Sequence, residues 1–307
     1  MANLIEVEHL SRYYGKYCAV NNISFTLEKG QVIGLLGPNG AGKTTTLQML
    51  SGNLAPSSGV IKINGFNLLT SPLKAKRSLG YLPDTPSLYK DLNVYEFLYY
   101  CAQLQGITSQ AINPMIHKTL ERCGLETVSE RLMANLSKGF QQRVGIAQAI
   151  LHNPEVIILD EPTSGLDPIQ IKEIRTLIKE LGEAHGIILS THILPEIQET
   201  CTHVQIINKG QIILNDSILD LNQTMHQNCV QVITRLPVDI AVLSAIPDIT
   251  RIEPIAHNRL KIHYSMTGNP THQIAETIIA KGWGLEEITP IKKSMEDIFL
   301  ALTQVES

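Results

Sequence analysis

The feature that most constrains the fold is the stretch GPNGAGKT at residues 37–44, which matches the pattern G-x-x-x-x-G-K-[ST]. It follows the apolar run QVIGLL, typical of a buried strand, and it precedes TTTLQML, whose pattern is helical. A strand, a glycine-rich turn and a helix in this order gather backbone N–H groups around one point. The stretch therefore predicts an α/β fold with a phosphate-binding loop (P-loop).

The residues of this loop have separate tasks. Glycines let the backbone curl, Lys43 supplies a positive charge to the β- and γ-phosphates, and the Thr44 hydroxyl is a ligand for Mg²⁺. The alternative is a glycine-rich turn that binds nothing. The predicted nucleotide-binding residues of the loop are Gly37, Pro38, Asn39, Gly40, Ala41, Gly42, Lys43, Thr44 and Thr45.

Two further apolar runs, EVIILD at 155–160 and GIILS at 186–190, are separated by the helical stretch IQIKEIRTLIKEL. Strands that alternate with helices predict a mostly parallel sheet covered on both faces. Residues from about 85 to 151 are rich in helical pattern. They predict a helical subdomain inserted into the sheet domain.

Two acidic residues follow the apolar strand VIILD. Asp160 ends the strand and Glu161 comes next, at the strand end where open α/β sheets bind ligands. Asp160 suits the role of holding Mg²⁺, and Glu161 that of orienting and deprotonating an attacking water. The alternative is a solvated turn before Pro162.

After about residue 218 the order of apolar runs changes. VQVIT, VDIAVLSAI, TRIEPIA, RLKIHYS, THQIAETIIAKGWG and LEEITPI suggest strand, helix, strand, strand, helix and strand. This order predicts a small α+β unit of the ferredoxin-like kind. The predicted domains are therefore residues 1–218 and 219–307.

Composition limits the functional classes. The formal net charge of -4 offers no global basic field, so we expect no nucleic-acid partner. No apolar run reaches the roughly 18 residues that span a bilayer, and MANLIEVEHL is unlike a signal peptide. The five cysteines are scattered, which is typical of reduced thiols in the cytosol.

The segments GPNGAGKTT, LSKGF, VIILDEP, SGLD and STH stand in the order and spacing of an ATP-binding cassette (ABC) ATPase. Over about residues 4–215 the chain resembles this family. Its tail, KKSMEDIFLALT, is similar to the C-terminal extension of exporter ATPases of the drug-resistance and gliding-motility type.

The resemblance implies that ATP and Mg²⁺ are the cofactors and that hydrolysis drives transport, with export expected. Two copies would meet head to tail as a homodimer around two ATP molecules, and Ser137 and Gly139 of one chain would complete the site of the other. An integral-membrane permease would be a separate subunit. The chain would then be cytoplasmic and peripheral on the cytoplasmic face of the cell membrane.

The resemblance also implies roles for single residues. Tyr14 would stack on the adenine, with Tyr13 as a rival. Asp167, in SGLD, belongs to the loop that crosses the dimer interface, and it is expected to help bind ATP. His192 would contact the γ-phosphate. The predicted catalytic residues are Lys43, Glu161 and His192.

Two parts of the sequence depart from the family pattern: Asp84, and the segment LSKGF, where the changes fall on Lys138 and Phe140. Asp84 stands after GYLP, where the family usually has Gln; it is either a ligand of Mg²⁺ or a turn residue before Thr85. In LSKGF, Ser137 is a plausible helix N-cap. Lys138 follows it and opposes the helix dipole at a cost of about 0.3–1 kcal/mol. It either serves an anion, the partner's γ-phosphate, or faces solvent.

The alternative function is that of a soluble ABC ATPase without a transporter. A DNA-repair or chromosome-organising type needs a long coiled-coil insertion between Lys43 and Ser137, and residues 44–136 hold none. A translation factor of this family normally carries two ATPase halves, whereas this chain has one phosphate loop. The transporter interpretation is therefore preferred.

Overall fold

The computed structural model describes residues 3–224, 226–256, 258–265, 268–292 and 295–304. The chain divides into two compact units, Met1–Ile218 and Leu219–Ser307. Each unit has a buried apolar cluster of its own. The division falls where the order of apolar runs changes along the sequence.

The larger unit contains two β-sheets. Numbered along the chain, its strands are β1 Asn3–Tyr14, β2 Tyr17–Glu28, β3 Val32–Leu36, β4 Ser58–Ile63, β5 Phe66–Asn67, β6 Leu79–Leu82, β7 Val156–Asp160, β8 Gly186–Thr191, β9 His203–Asn208 and β10 Gln211–Ser217. Six of them form a sheet in the order β10-β9-β3-β8-β7-β6. Strands β9, β3, β8, β7 and β6 run parallel, and β10 is antiparallel to β9. The prediction of a mostly parallel sheet is confirmed for this layer.

The central strands of this sheet are buried along their whole length. Every residue of β3, β7 and β8 is buried. Such continuous apolar strands are typical of a parallel sheet with both faces covered. Because these three strands run parallel and lie side by side, their carboxyl ends meet at one edge. The loop after β3 and the acidic and histidine residues after β7 and β8 are thereby brought together.

The second sheet of this unit is antiparallel, with the order β2-β1-β4-β5. The sequence analysis did not predict it. In β2 buried and exposed residues alternate towards the C-terminal end, as expected for a strand with one covered face. The fold is therefore a mixed one, with a parallel and an antiparallel sheet in one unit.

Eight helices are described in or at the end of this part of the chain: α1 Lys43–Leu50, α2 Pro72–Arg77, α3 Val94–Leu104, α4 Ser109–Cys123, α5 Lys138–Ile150, α6 Pro168–Gly182, α7 Leu194–Thr200 and α8 Ile218–Thr224. Helices α3, α4 and α5 pack on one another and fall within the predicted helical subdomain. Asn93 and Glu96 form a capping box that begins α3. In the described ranges no helix combines the length and apolar character needed to cross a bilayer.

The smaller unit is α+β. Its elements are β11 His226–Thr234, α9 Ile240–Ser244, β12 Ile249–Ala256, β13 Arg259–Tyr264, α10 Thr271–Ala280, β14 Leu285–Lys292 and α11 Met295–Gln304. The strands form an antiparallel sheet in the order β12-β13-β11-β14. Apolar residues of β11, β13, α9 and α10 form its buried cluster.

Candidate nucleotide-binding and catalytic site

The loop between β3 and α1 has glycines where other residues would be strained or would collide. Gly40 and Gly42 have φ angles of 80° and 108°, in the left-handed region that glycine adopts without steric cost. A Cβ atom at Gly42 would lie 2.5 Å from the carbonyl oxygen of Ala19, and one at Gly37 would collide with that of Ile207. These glycines let the loop curl directly before the first turn of α1.

Lys43 begins α1, and its ammonium group reaches back into the loop. Its Nζ donates hydrogen bonds to the carbonyl oxygens of Gly37, at 2.8 Å, and Pro38, at 3.3 Å. Burial lowers the pKa of Lys43, and the negative charges of Glu161 and Asp160 oppose that shift. An anion that enters the loop therefore meets a cation already removed from bulk water.

Asp160 ends β7, and a serine of the neighbouring strand holds its carboxylate. The Oγ of Ser190 donates to Oδ1 of Asp160 over 2.6 Å and accepts the N–H of Glu161 over 2.9 Å. Burial raises the pKa of Asp160, whereas the hydrogen bond from Ser190 lowers it. A single hydroxyl thus fixes both acidic residues relative to β8.

Thr44 and Asp84 line the cavity and both act on the carboxylate of Asp160. The Thr44 hydroxyl lowers the pKa of Asp160, and the charge of Asp84 raises it. Mg²⁺ prefers oxygen ligands and is usually held by one or two carboxylates together with phosphates and water. In the described part of the chain no group of three or more His, Cys, Asp and Glu could hold a metal alone. The three oxygen-bearing residues fit Mg²⁺ bound together with a nucleotide.

Glu161 and His192 form a pair at the ends of β7 and β8. The Nδ1 atom of His192 lies 3.1 Å from Oε1 and 3.0 Å from Oε2 of Glu161. Burial raises the pKa of Glu161, and the hydrogen bond and charge of His192 oppose that shift. The backbone of Glu161 has φ of 48°, a strained conformation that costs about 1–3 kcal/mol and is concentrated at functional sites.

These groups border a cavity of about 440 Å³. The predicted residues that line it are Tyr14, Asn39, Gly40, Gly42, Lys43, Thr44, Thr45, Asp84, Glu161 and His192. Gly37, Pro38 and Ala41 belong to the loop without lining the cavity, and Asp160 is buried beside it. The structure therefore brings together most of the predicted site at one edge of the parallel sheet.

Comparison with known proteins identifies the family of the chain. The family model described as ABC transporter matches residues 20–164. The bacitracin transport ATP-binding protein BcrA of Bacillus licheniformis is 40% identical over 69% of this chain and 69% of its own length. This chain belongs to the ATP-binding proteins of ABC transporters.

Two further similarities support the family. The linearmycin resistance ATP-binding protein LnrL of Bacillus subtilis is 29% identical over 98% of this chain and 98% of its own length. A solved ATP-binding subunit of an ABC transporter matches with a TM-score of 0.66 and 33% identity, covering 72% of this chain and 92% of that chain. Members of this ABC family bind ATP and hydrolyse it, coupled to transport. The cavity at the phosphate loop is therefore the candidate ATP cavity of this family member.

Tyr14 and Tyr17 line the ATP cavity of this ABC subunit, and Tyr13 does not. The guanidinium carbon of Arg12 lies 4.8 Å from the centre of the Tyr14 ring. The hydroxyl of Tyr17 donates to the carbonyl oxygen of Gly40 over 3.4 Å. The sequence analysis did not select Tyr17. An aromatic residue three positions after Tyr14 could have indicated a second cavity residue.

Tyr14→Ala is expected to weaken ATP binding by about 5- to 150-fold, because stacking of a base on an aromatic ring is worth about 1–3 kcal/mol. Calorimetric titration with ATP, and with inorganic tripolyphosphate, measures the effect. Tripolyphosphate has no base, so its affinity is expected to stay unchanged. Tyr13→Ala is the matched control, and an equal loss of ATP affinity in that variant would contradict the assignment of Tyr14.

The segment LSKGF begins α5. The Oγ of Ser137 accepts the N–H of Phe140 over 3.4 Å, so the predicted N-cap is confirmed. A Cβ atom at Gly139 would overlap the side-chain amide of Gln170, so a larger residue there requires the end of that side chain to move. Neither Ser137 nor Gly139 lines the ATP cavity of its own chain.

Lys138 contacts the turn SGLD of the same chain. A Cβ atom at Gly165 would collide with Nζ of Lys138. In that turn Asp167 caps α6, since its Oδ1 accepts the N–H groups of Ile169, at 3.0 Å, and Gln170, at 2.9 Å. Asp167 also lies outside the ATP cavity of its own chain. The segment LSKGF therefore lies outside that cavity, whereas SGLD reaches it through its first residue, Ser164.

Several polar residues at the site were not predicted. Ser190 and Thr191 belong to the motif STH, in which the histidine alone was given a role, and Ser164 lines the cavity. Glu196 is a buried carboxylate four residues after His192. The stretch LPEIQET holds two glutamates, and nothing in the sequence marks Glu196 as the buried one.

Proposed function

We propose that this ABC subunit hydrolyses ATP as a homodimer and thereby drives a separate membrane protein, in the direction of export. The observation that carries the proposal is the Glu161–His192 pair, which borders the same cavity as Lys43. A phosphate loop alone suits binding. A carboxylate with a raised pKa beside that loop suits deprotonation of an attacking water.

Within the site each group has a distinct task. Lys43 and the N-terminus of α1 bind the β- and γ-phosphates, and His192 contacts the γ-phosphate and orients Glu161. Thr44, Asp160 and Asp84 would hold Mg²⁺, which neutralises phosphate charge when bound. Glu161 takes the proton of the attacking water. Positioning and electrostatic stabilisation supply the remainder of catalysis.

The second copy is inferred from residues that lie outside the cavity of their own chain. Ser137, Gly139 and Asp167 belong to motifs of the family, yet none of them lines that cavity. Ser137 caps a helix of 13 residues, whose N-terminus favours an anion. In a head-to-tail dimer this N-terminus would face the γ-phosphate held by the partner. Each ATP site would then contain residues of both chains.

A groove beside α3 is the proposed docking site of the membrane protein. It has a volume of about 540 Å³ and an aromatic lining that includes Tyr81, Tyr89, Phe97 and Tyr100. Tyr89 is 56% exposed and packs edge-on against Tyr100, with ring centres 5.7 Å apart. Exposed aromatic residues are enriched at protein interfaces. Docking there would place the chain peripherally on the cytoplasmic face of the membrane.

The smaller unit is proposed to be an accessory domain of the ferredoxin-like kind, which supports or regulates the dimer. Its order of strands and helices, with the sheet order β12-β13-β11-β14, supports that assignment. The export direction is supported by the similarity to a bacitracin transport protein and a linearmycin resistance protein.

Reconstitution with a membrane protein tests the proposed function. The chain is co-expressed with a candidate polytopic membrane protein of the same genome, and the complex is purified in lipid nanodiscs. We expect the membrane protein to change the rate of ATP hydrolysis and the double variant Tyr89→Ala, Tyr100→Ala to lose that response while keeping the basal rate. Tyr99→Ala, on the same helix but outside the groove, is the control. A complex whose hydrolysis is indifferent to the membrane protein would contradict the proposal.

A further inference from the structure

Beside the catalytic pair, a buried carboxylate joins two turns of the chain. Glu196 lies in the first turn of α7 and is only 3% exposed. Its Oε1 accepts the hydroxyl of Thr163 over 2.7 Å, and its Oε2 accepts the hydroxyl of Thr191 over 2.7 Å. The guanidinium of Arg175 lies 3.5 Å from Oε1. Both oxygens of the carboxylate are therefore engaged inside the protein.

The first threonine belongs to the turn that carries Glu161. Thr163 is two residues after Glu161, and the N–H of Ser164 donates to the carbonyl oxygen of Glu161 over 3.1 Å. Thr163 thus lies within a turn closed by a hydrogen bond between its two ends. A displacement of its side chain would be transmitted to the backbone of Glu161, whose φ of 48° is already strained.

The second threonine fixes the loop that carries His192. Thr191 precedes His192 directly, and its Oγ1 accepts the N–H of Ile193 over 3.0 Å. His192 therefore sits between two residues that are tied together by one hydroxyl. That same hydroxyl donates to Glu196. The carboxylate of Glu196 is thereby connected to the backbone on both sides of the histidine.

A contribution to folding stability does not by itself explain why a carboxylate is buried at this position. A buried carboxylate is costly to desolvate, and apolar residues of similar volume are often as stable or more so in place of a buried ion pair. The carboxylate instead holds the two turns at a defined distance from each other. Its two oxygens are at a fixed separation, and each accepts a hydrogen bond from one turn.

We propose that Glu196 is a positioning residue for ATP hydrolysis, which sets the separation of Glu161 and His192 by tying their turns together. The inference rests on the roles proposed above for Glu161 and His192. Glu196 does not line the ATP cavity, so it acts through Thr163 and Thr191. Misplacement of reacting groups by about 1 Å can lower a rate by about 10²-fold. ATP binding depends on the phosphate loop and is unaffected.

Paired substitutions of the first threonine test the proposal. Thr163→Val keeps the shape of the side chain and removes the hydroxyl, whereas Thr163→Ser keeps the hydroxyl. We expect Thr163→Val to lower kcat by about 10- to 100-fold, with the KM for ATP within about twofold of wild type. Thr163→Ser should retain a kcat near that of wild type. Rates are expressed per nucleotide-binding site, so that a loss of folded protein does not mimic a loss of kcat.

Substitutions on α7 extend the test. Glu196→Gln keeps the volume of the side chain, but its amide nitrogen is no longer an acceptor, so kcat is expected to fall with KM unchanged. Glu199→Gln is the matched control: Glu199 is 60% exposed and its Oε2 lies 2.7 Å from Nη1 of Arg175. Its kcat should equal that of wild type.

The opposite results would overturn the proposal. Wild-type kcat in both Thr163→Val and Glu196→Gln would show that the link does not set the catalytic geometry. An equal loss in Thr163→Ser and Thr163→Val would show that the hydroxyl is not the cause. Glu161→Gln is measured in parallel: full hydrolysis there would overturn the proposed function itself. An inactive Glu161→Gln beside fully active Glu196→Gln and Thr163→Val would overturn only the positioning role.

Discussion

Glu161→Gln is expected to lower steady-state ATP hydrolysis by about 10²- to 10⁴-fold, the usual contribution of a positioned general base. The amide keeps the shape of the side chain, but it cannot take a proton from water. ATP binding should persist, because Lys43 and the phosphate loop are unchanged. Phosphate release measures the rate, and equilibrium binding of labelled ATP measures the affinity.

The same variant should accumulate as an ATP-bound dimer, since both chains bind ATP and neither hydrolyses it. Light scattering with and without ATP detects that dimer. Glu180→Gln, which makes the same chemical change on the exposed side of α6, is the control and should hydrolyse ATP at the wild-type rate. Undiminished hydrolysis in Glu161→Gln would show that another group activates the water.

Lys43→Met is expected to weaken ATP binding by about 10- to 150-fold, because hydrogen bonds to a charged group contribute about 1.5–3 kcal/mol. The substitution removes the cation that the loop holds between the carbonyl oxygens of Gly37 and Pro38. Hydrolysis should fall further than binding, since the charge also stabilises the transferring phosphoryl group. Calorimetric titration with ATP measures the affinity.

Lys16→Met is the matched control for that loss of charge. Lys16 is exposed between Tyr14 and Tyr17, near the ATP cavity but outside its lining. Its removal alters the net charge by the same amount and should leave affinity near the wild-type value. An affinity for ATP that is the same in Lys43→Met as in Lys16→Met would contradict the placement of the phosphates at Lys43.

Local motifs accounted for the centre of the site. The segment from Val32 to Leu50 combines a strand, a turn and a helix within 19 residues, so its structure depends little on the remainder of the chain. Asp160 and Glu161 could be placed for a similar reason. Parallel strands bring their carboxyl ends to one edge, and residues at those ends meet whatever the intervening chain does.

The same reasoning could not predict contacts between segments that are far apart in the sequence. The antiparallel sheet of β1, β2, β4 and β5 puts Tyr17 at the cavity, and its register depends on pairing along whole strands. The link from Thr163 through Glu196 to Thr191 joins three elements by residue types that are common everywhere in proteins. Only the packing of β7, β8 and α7 shows which of them meet.

The roles of three predicted residues, Ser137, Gly139 and Asp167, depend on a second chain. Their motif suggested a role at ATP, yet they lie outside the cavity of their own chain. When two chains complete each other's ATP sites, neither the sequence nor the structure of a single chain shows the complete site. We propose that these three residues bind the ATP held by the partner chain.

A mixture of two inactive variants tests whether the two chains share each ATP site. Lys43→Met disables the phosphate loop, and Ser137→Asp keeps a good N-cap while placing a negative charge opposite the partner's γ-phosphate. In an equimolar mixture about half of the dimers contain one chain of each kind, and each such dimer has one intact site. We predict that the mixture hydrolyses ATP at about a quarter of the wild-type rate, given two equivalent sites per dimer. A mixture no faster than the two variants measured separately would contradict the shared site.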